Sequence, residues 1–369
     1  MEVSKPAFER VGALLLAVFW LLLAVQAQNP GNENSPEAER ELQTGITLTR
    51  AGQFQDAIPH FLTARGKVKE VYAENFNLSL CYLGTAQYES AISILHALQS
   101  AGHDTADVNN LLAQAYIGAA QPEAAFAALQ KAAQQTPNNE KLYVFVADAC
   151  TDHQNYSLGL KAVDLGLKNL PNSARLHYER AMFLSSLDEF DLARADFDKV
   201  GTLTPDSALA SVALAQKLLY AGQITSAVTA ARAGVKKDSN DFRLLTILGE
   251  SLLRSGVSPG QPEFAEAQSS LEKAITLRPQ FSGSHLALGK LYLLQDRASD
   301  SIAQLELARA LDPNNAAVYS NLAKAYQRSG NPVQAQAMLS ALAKLNQAQA
   351  EKISSAPGDR KVGYGQAPH

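Results

Sequence analysis

The side chains of this chain best equipped for chemistry are seven histidines, two cysteines and one acidic run. The histidines are His60, His96, His103, His153, His177, His285 and His369. A metal site needs several such ligands to converge, and their spacing pairs none of them, so each reads as a surface or turn residue. Cys81 and Cys150 are too few for a disulfide framework or a four-thiolate zinc site. Asp188-Glu189-Phe190-Asp191, with Asp196 and Asp198, lacks the spacing and distal Glu of a calcium loop. Asp188 fits better as the cap of a helix. No glycine loop ends in Lys-Ser/Thr, and neither Gly-x-Ser-x-Gly nor His-Glu-x-x-His occurs. Asn77-Leu-Ser and Asn155-Tyr-Ser read as incidental sequons. The expectation is a non-enzyme with no metal, no cofactor and no small-molecule substrate.

Such a chain must then work through its surfaces, and composition says how those are built. Its 369 residues are 46% hydrophobic and 18% charged, enough to bury a large core. The length calls for several domains or for a repeat array. A formal net charge of −4 argues against nucleic acid as a partner, because phosphate binding needs a basic face. Ala and Leu outnumber the β-branched residues, which predicts helices.

At the amino end, Ala13–Val25 reads ALLLAVFWLLLAV, preceded by Lys5 and Arg10 and followed by Val25-Gln26-Ala27. A membrane span takes roughly 20 apolar residues, so this shorter run reads as a secretory signal cut after Ala27. The alternative is an uncleaved anchor over residues 11–25. Either way the bulk of the chain is expected outside the cytoplasm, periplasmic or secreted, in a bacterium. Contact with a membrane is expected only if the segment stays uncleaved.

Internal repetition organises the rest. Ala57, Ala91 and Ala125 stand 34 residues apart, and the ladder continues through Gly159, Ala193 and Ala227. One step of 40 reaches Ala267, after which Ser301 and Ala335 resume the beat. A second small-residue ladder leads the first by 12: Gly45, Ser79, Ala113, Ala147, Ala181, Ala215, Gly249, Gly289 and Ala323. Prolines 137, 171, 205, 279 and 313 close units, and glycines 52, 222, 256 and 330 fall midway. The physical reading is two helices per unit, brought close by small residues and stacked on their neighbours to bury a shared core. The six extra residues fit the turn Gly256–Pro262.

These positions resemble the tetratricopeptide repeat. Counting from Ala38, the units start at Ala38, Tyr72, Ala106, Glu140, Ala174, Ala208, Phe242, Ser282 and Ala316. Unit three is the best match, and Tyr143, His177 and Tyr319 stand where the family has Trp. The resemblance implies an all-α fold, a right-handed α-solenoid of about nine helix–turn–helix repeats over residues 38–349. Their ranges are 38–71, 72–105, 106–139, 140–173, 174–207, 208–241, 242–281, 282–315 and 316–349. Residues 1–27 are then the signal, 28–37 a linker, and 350–369 a short cap with a flexible tail. In that register Cys81 and Cys150 lie two units apart, too far for a disulfide, and are expected to be free and buried.

The resemblance also implies a function: a scaffold of the cell envelope that binds a protein or peptide in its concave groove. The alternative is a regulatory or targeting subunit of an envelope enzyme or secretion assembly. In the family, positions 2, 5, 9, 12 and 13 of the first helices face the groove. In units five and six these supply Arg175, Tyr178, Met182, Gln216 and Tyr220, flanked by Asn110, Gln114, Asp148 and Glu250. Tyr178 and Met182 could equally pack between neighbouring helices. Position 5 carries no Lys in any unit, so no preference for acidic carboxy-terminal tails is implied. The basic carboxyl end and the acidic unit five leave room for weak self-association.

Overall fold

The structure, a computed structural model, describes residues 35–355. The signal or anchor segment, residues 28–34 of the expected linker and the tail from 356 lie outside the described residues, whereas residues 36 and 37, also expected in that linker, already belong to the first helix, capped by Ser35. Within the described residues the chain is helical throughout, in two units divided between Ala132 and Ala133. Unit 1 holds α1 (Pro36–Arg50), α2 (Phe54–Ala64), α3 (Val71–Gly84), α4 (Tyr88–Ser100), α5 (Ala106–Gly118) and most of α6 (Pro122–Gln135). Unit 2 holds α7 (Glu140–Asp152), α8 (Tyr156–Asn169), α9 (Ala174–Ser186), α10 (Phe190–Leu203), α11 (Ala208–Tyr220) and α12 (Ile224–Lys237). It continues through α13 (Phe242–Arg254), α14 (Pro262–Leu277), α15 (Ser282–Leu294), α16 (Ala298–Leu311), α17 (Ala316–Arg328) and α18 (Pro332–Ser355). Odd-numbered helices are the first of each pair and even-numbered ones the second. In unit 2 each first helix also touches the first helix of the adjacent pair. No described helix is long and apolar enough to cross a membrane.

Local chemistry sets the ends of these helices. Thr105, Ser173, Ser207, Asp241 and Asn315 cap α5, α9, α11, α13 and α17, their side chains accepting first-turn amides. Prolines 137, 171, 205, 279 and 313 each stand two residues beyond the end of a second helix. The turn closing the first helix of every pair holds one residue in a left-handed backbone (the longer seventh loop adds a second, Gly260). That residue is Gly52, Gly222, Gly256 or Gly330 in four pairs, but Ala86, Ala120, Gln154, Asp188 or Asp296 in the other five. In every pair but the seventh the next amide then reaches back to the fifth carbonyl before it, as Gln53 does to Leu48 and Gln121 to Tyr116. Asp188 is therefore a turn residue at φ +63°, not the helix cap expected of it. Glu189 occupies the capping position, without a side-chain cap. Of the six extra residues of unit seven, four lengthen the loop between α13 and α14 and two lengthen α14, which Pro262, expected in the turn, opens.

Packing explains the small-residue ladders. A Cβ added at Gly249 would lie 2.5 Å from Leu271, and one at Gly289 would lie 2.6 Å from Leu305. The large residue of each second helix thus fills the space left by the small residue of the first. Unit 1 has a core around Leu42, Phe61 and Leu78. Unit 2 has one running from Tyr178 to Leu291 and another from Leu293 to Met338.

One side chain near the start of four first helices ties back to the preceding proline. Tyr143 Oη donates to the Pro137 carbonyl at 2.9 Å, and Tyr319 Oη to Pro313 at 2.8 Å. His177 Nε2 meets the Pro171 carbonyl at 3.0 Å and His285 Nε2 that of Pro279 at 2.8 Å. Both histidines are buried, which corrects the reading of every histidine as a surface or turn residue. The other ring nitrogen of His177 meets Asp196 Oδ1 at 2.7 Å, and Arg180 binds both oxygens of that buried carboxylate. Helix α18 runs unbroken to Ser355, so residues 350–355 extend it rather than forming a separate cap. Cys81 and Cys150 are buried free thiols. Burial pushes the Cys150 thiol up to about 12, and raises Cys81 despite the Thr49 hydroxyl 3.1 Å away.

Candidate functional site

Four successive first helices of unit 2 present one face to a shared cavity of about 470 Å³. Helix α7 contributes Asp148, Thr151 and Asp152, and α9 contributes Arg175, Tyr178, Glu179 and Met182. From α11 come Gln216 and Tyr220, and from α13 come Phe242, Arg243, Thr246, Ile247 and Glu250. Arg278, Gln280 and Phe281, in the loop between α14 and α15, close one end. Across the helices, Asn314 donates an amide hydrogen bond to Gln154, joining the α7–α8 turn to the α16–α17 turn.

Seven of the residues singled out from sequence line this one cavity: Asp148, Arg175, Tyr178, Met182, Gln216, Tyr220 and Glu250. Tyr178 does two things at once. It is only 5% exposed, packs its ring 6.1 Å from Phe197, and still forms cavity wall. Met182 packs on the same core, whereas Tyr220 is 41% exposed. Asn110 and Gln114 lie apart from these, in unit 1. Asn110 is buried and accepts a hydrogen bond from Gln114 at 2.8 Å, so it does not offer the open polar group expected of it.

Sequence reasoning passed over several lining residues. Arg243, Thr246 and Asp152 occupy the inward positions 2, 5 and 13 of their units, so the same rule extended to units four and seven would have found them. Glu179 stands off those positions. Arg278 and Phe281 come from a loop that no helix register marks.

The charges are mostly paired among themselves. Arg175 binds Glu179 at 2.7 Å, with Asp148 further off at 3.8 Å. Arg243 binds Asp241 at 2.5 Å and lies over the Tyr178 ring, 5.4 Å from its centroid. Glu250, itself part of the cavity wall, binds Arg254 at 2.7 Å. Phe242 meets Phe281 edge-on at 5.2 Å, and Arg278 lies 5.8 Å from the Phe242 centroid. Burial pushes the Glu179 carboxyl up to about 7, against the pull of Arg175, and Asp148 adds to the rise. The surrounding walls also raise Asp148, against Arg175, and Asp152, against Arg278. Arg175 Nε is buried without an acceptor. Among the described residues no group of three or more His, Cys, Asp or Glu side chains could hold a metal ion. Flat aromatic faces beside fixed charges are the chemistry of recognition, and aromatic and Arg anchors dominate binding hot spots.

Fold and cavity together define an all-α helical-repeat protein. Residues 260–316 and 297–355 each match a tetratricopeptide-repeat family model. Those matches support a tetratricopeptide-repeat protein, a class that generally mediates protein–protein interaction. No curated protein matched the chain. Among solved structures, a thermophilic tetratricopeptide-repeat protein of Thermus thermophilus is 22% identical, covering 51% of this chain and 93% of its own, with a TM-score of 0.40. A tetratricopeptide repeat protein of Parabacteroides merdae is 15% identical, covering 79% and 99%, with a TM-score of 0.47. The Cut9–Hcn1 hetero-tetramer of the APC/C is 14% identical, covering 90% and 78%, with a TM-score of 0.49. Nothing about a ligand follows from likeness at that level.

Proposed function

We propose that this protein is a non-enzymatic scaffold of the bacterial cell envelope that binds a peptide or protein segment in the unit 2 cavity. One observation carries the reading. The cavity gathers Tyr178, Tyr220, Phe242 and Phe281 with Arg175, Arg243 and Arg278 in one lining. Its volume lies within the roughly 300–1,000 Å³ typical of sites for compact ligands, enough for a few side chains of an extended chain. Anchors of this type, ringed by polar groups, are how a small area supplies most of a binding energy.

The envelope location rests on the amino-terminal segment, with Ala13–Val25 as an export signal cut after Ala27. Intact mass of the protein recovered from cell fractions checks it: the mature chain begins at Gln28 and leaves with the periplasmic or secreted fraction.

The binding reading is tested by affinity capture from envelope extract with three forms of the full chain: wild type, Tyr220→Ala with Gln216→Ala, and a control altered at exposed Leu307 on α16. The expected result is a partner retained by wild type and control and lost by the groove variant. A partner retained equally by all three forms refutes the groove.

A further inference from the structure

We propose that the α2–α3 junction is a proton-tightened clasp: with Glu74 protonated, loop 65–70 closes over it and holds the first helix pair against α3. Loss of that proton loosens the clasp and lets the pair lift away more often. The clasp belongs to unit 1, whereas the cavity belongs to unit 2.

Glu74 stands at the third position of its repeat, and that position is core in every later repeat. Val108, Leu142, Leu176, Leu244 and Val318 are at most 2% exposed there, and Ala210 is buried too. Ser284, the one hydroxyl of the series, meets the Thr246 hydroxyl at 2.7 Å. Glu74 is 0% exposed, and neither of its carboxyl oxygens closes a hydrogen bond. A carboxylate held in that way costs far more than a neutral carboxyl, so the group keeps its proton instead. Burial accordingly raises the Glu74 carboxyl above its ordinary range, against the pull of the Gly66 amide and of Arg65. Arg65 is the one charge that acts on it. Glu41 of α1 and His60 of α2 are engaged with each other at 2.6 Å, and Asp56, Glu89 and Asp107, on α2, α4 and α5, are exposed.

The junction is also built to give way. Loop 65–70 is the longest connection between successive helix pairs, and α2, with 11 residues, is the shortest described helix. No side chain caps the start of α3. Val68 is the only buried residue of the loop. The Lys67 amide donates to the Ala64 carbonyl at 3.0 Å, and the Lys67 carbonyl accepts from the Ser35 amide at a long 3.4 Å. An ionised Glu74 regains water only when this loop lifts, and Arg65, Lys67 and Lys69, all exposed on it, then favour the open carboxylate. The carboxyl binds its proton more tightly closed than open. The clasp is therefore tightest at acid pH and slackens as pH climbs from about 4.5 through the raised closed-state value. Within that window each pH unit multiplies the open fraction by up to about tenfold, and above it the effect levels off.

Opening of this kind is a local fluctuation, which amide exchange reads. The full chain is followed by exchange and mass spectrometry from pH 5 to 8, with rates corrected for the intrinsic pH dependence of exchange. Wild-type protection in α1, α2 and loop 65–70 is expected to fall at least about tenfold over that range, while α15–α17 holds level. Glu74→Leu places there the side chain that Leu142, Leu176 and Leu244 supply in later repeats, and should keep α1–α2 protected at every pH. Glu74→Gln should also remove the pH dependence, at a lower level of protection, because its amide is buried without a partner.

Wild-type protection that stays level across the range overturns the clasp. So does a fall of equal size in Glu74→Leu, which moves the titration to His60 and Glu41. A fall shared by α15–α17 overturns it too, since the whole array is then loosening. If Glu74→Gln does not fold, the comparison of wild type with Glu74→Leu decides alone.

Discussion

Gly159 and Gly201 make opposite predictions for the same substitution. Both lie inside second helices of unit 2, Gly159 in α8 and Gly201 in α10. A Cβ at Gly159 would stand 2.3 Å from Phe183 Cζ, 2.4 Å from Cε1 and 2.8 Å from Cε2. Carbon atoms at rest sit about 3.5–4.0 Å apart, so the ring must retreat by roughly 1 Å. Phe183 is 2% exposed and has nowhere empty to go. Overpacking of this kind costs roughly 1–3 kcal/mol, and a clash with a rigid ring belongs near the upper end. Against it stands about 1 kcal/mol gained by replacing a helical glycine with alanine. Gly159→Ala should therefore destabilise by about 2 kcal/mol. At Gly201 an added Cβ meets nothing within 4 Å, so Gly201→Ala keeps only the gain, up to about 1 kcal/mol. Urea unfolding followed by far-UV circular dichroism measures both. Helix arrays can unfold in stages, so amide exchange in α8–α10 locates the change. Shifts in the same direction, or a Gly159→Ala protein as stable as wild type, would refute the account of the small-residue ladder.

Four further outcomes follow from the same geometry. Ala86→Gly and Ala120→Gly, at left-handed turn residues with φ +58° and +56°, should each stabilise by about 0.5–1 kcal/mol in thermal or urea melts. Tyr143→Phe loses the bonds to the Pro137 carbonyl and from Asn169 and leaves both partners short, which should cost about 1–2 kcal/mol by urea unfolding. The Glu179 carboxyl, raised to about 7, binds its proton more tightly folded than unfolded. Its stabilising contribution is thus complete at acid pH and is lost as pH climbs from about 4.5 through 7, by up to roughly 3 kcal/mol. Arg175, Asp148, Arg243 and Tyr178 face it, and Glu179→Gln should flatten that part of the profile when unfolding midpoints are compared across pH. Native protein at pH 8 should label neither Cys81 nor Cys150 with a thiol reagent until denaturant is added, since both are buried and Cys150 is held near 12.

Amino-acid order alone carried the helical fold. Small residues every 34 positions, prolines after the second helices and glycines at midpoints are short-range signals, and each acts within a helix pair or on its neighbour. The inward positions of first helices, carried by the family resemblance, also placed Asp148, Arg175, Tyr178, Met182, Gln216, Tyr220 and Glu250 on one wall. The left-handed turns at Ala86, Ala120, Gln154, Asp188 and Asp296 were hidden, because those residues pay strain there that neighbouring packing overrides and their type does not announce it. Tertiary structure alone decided the rest. His177 and His285 turn inward because a proline carbonyl six residues back awaits a donor, and Asn110 is lost to solvent because its neighbours cover it. Arg278 and Phe281 reach the cavity from a loop over a hundred residues beyond Asp148. Which charges cancel there and which are left over depends on distances across stacked helices, and a one-dimensional period does not encode those distances.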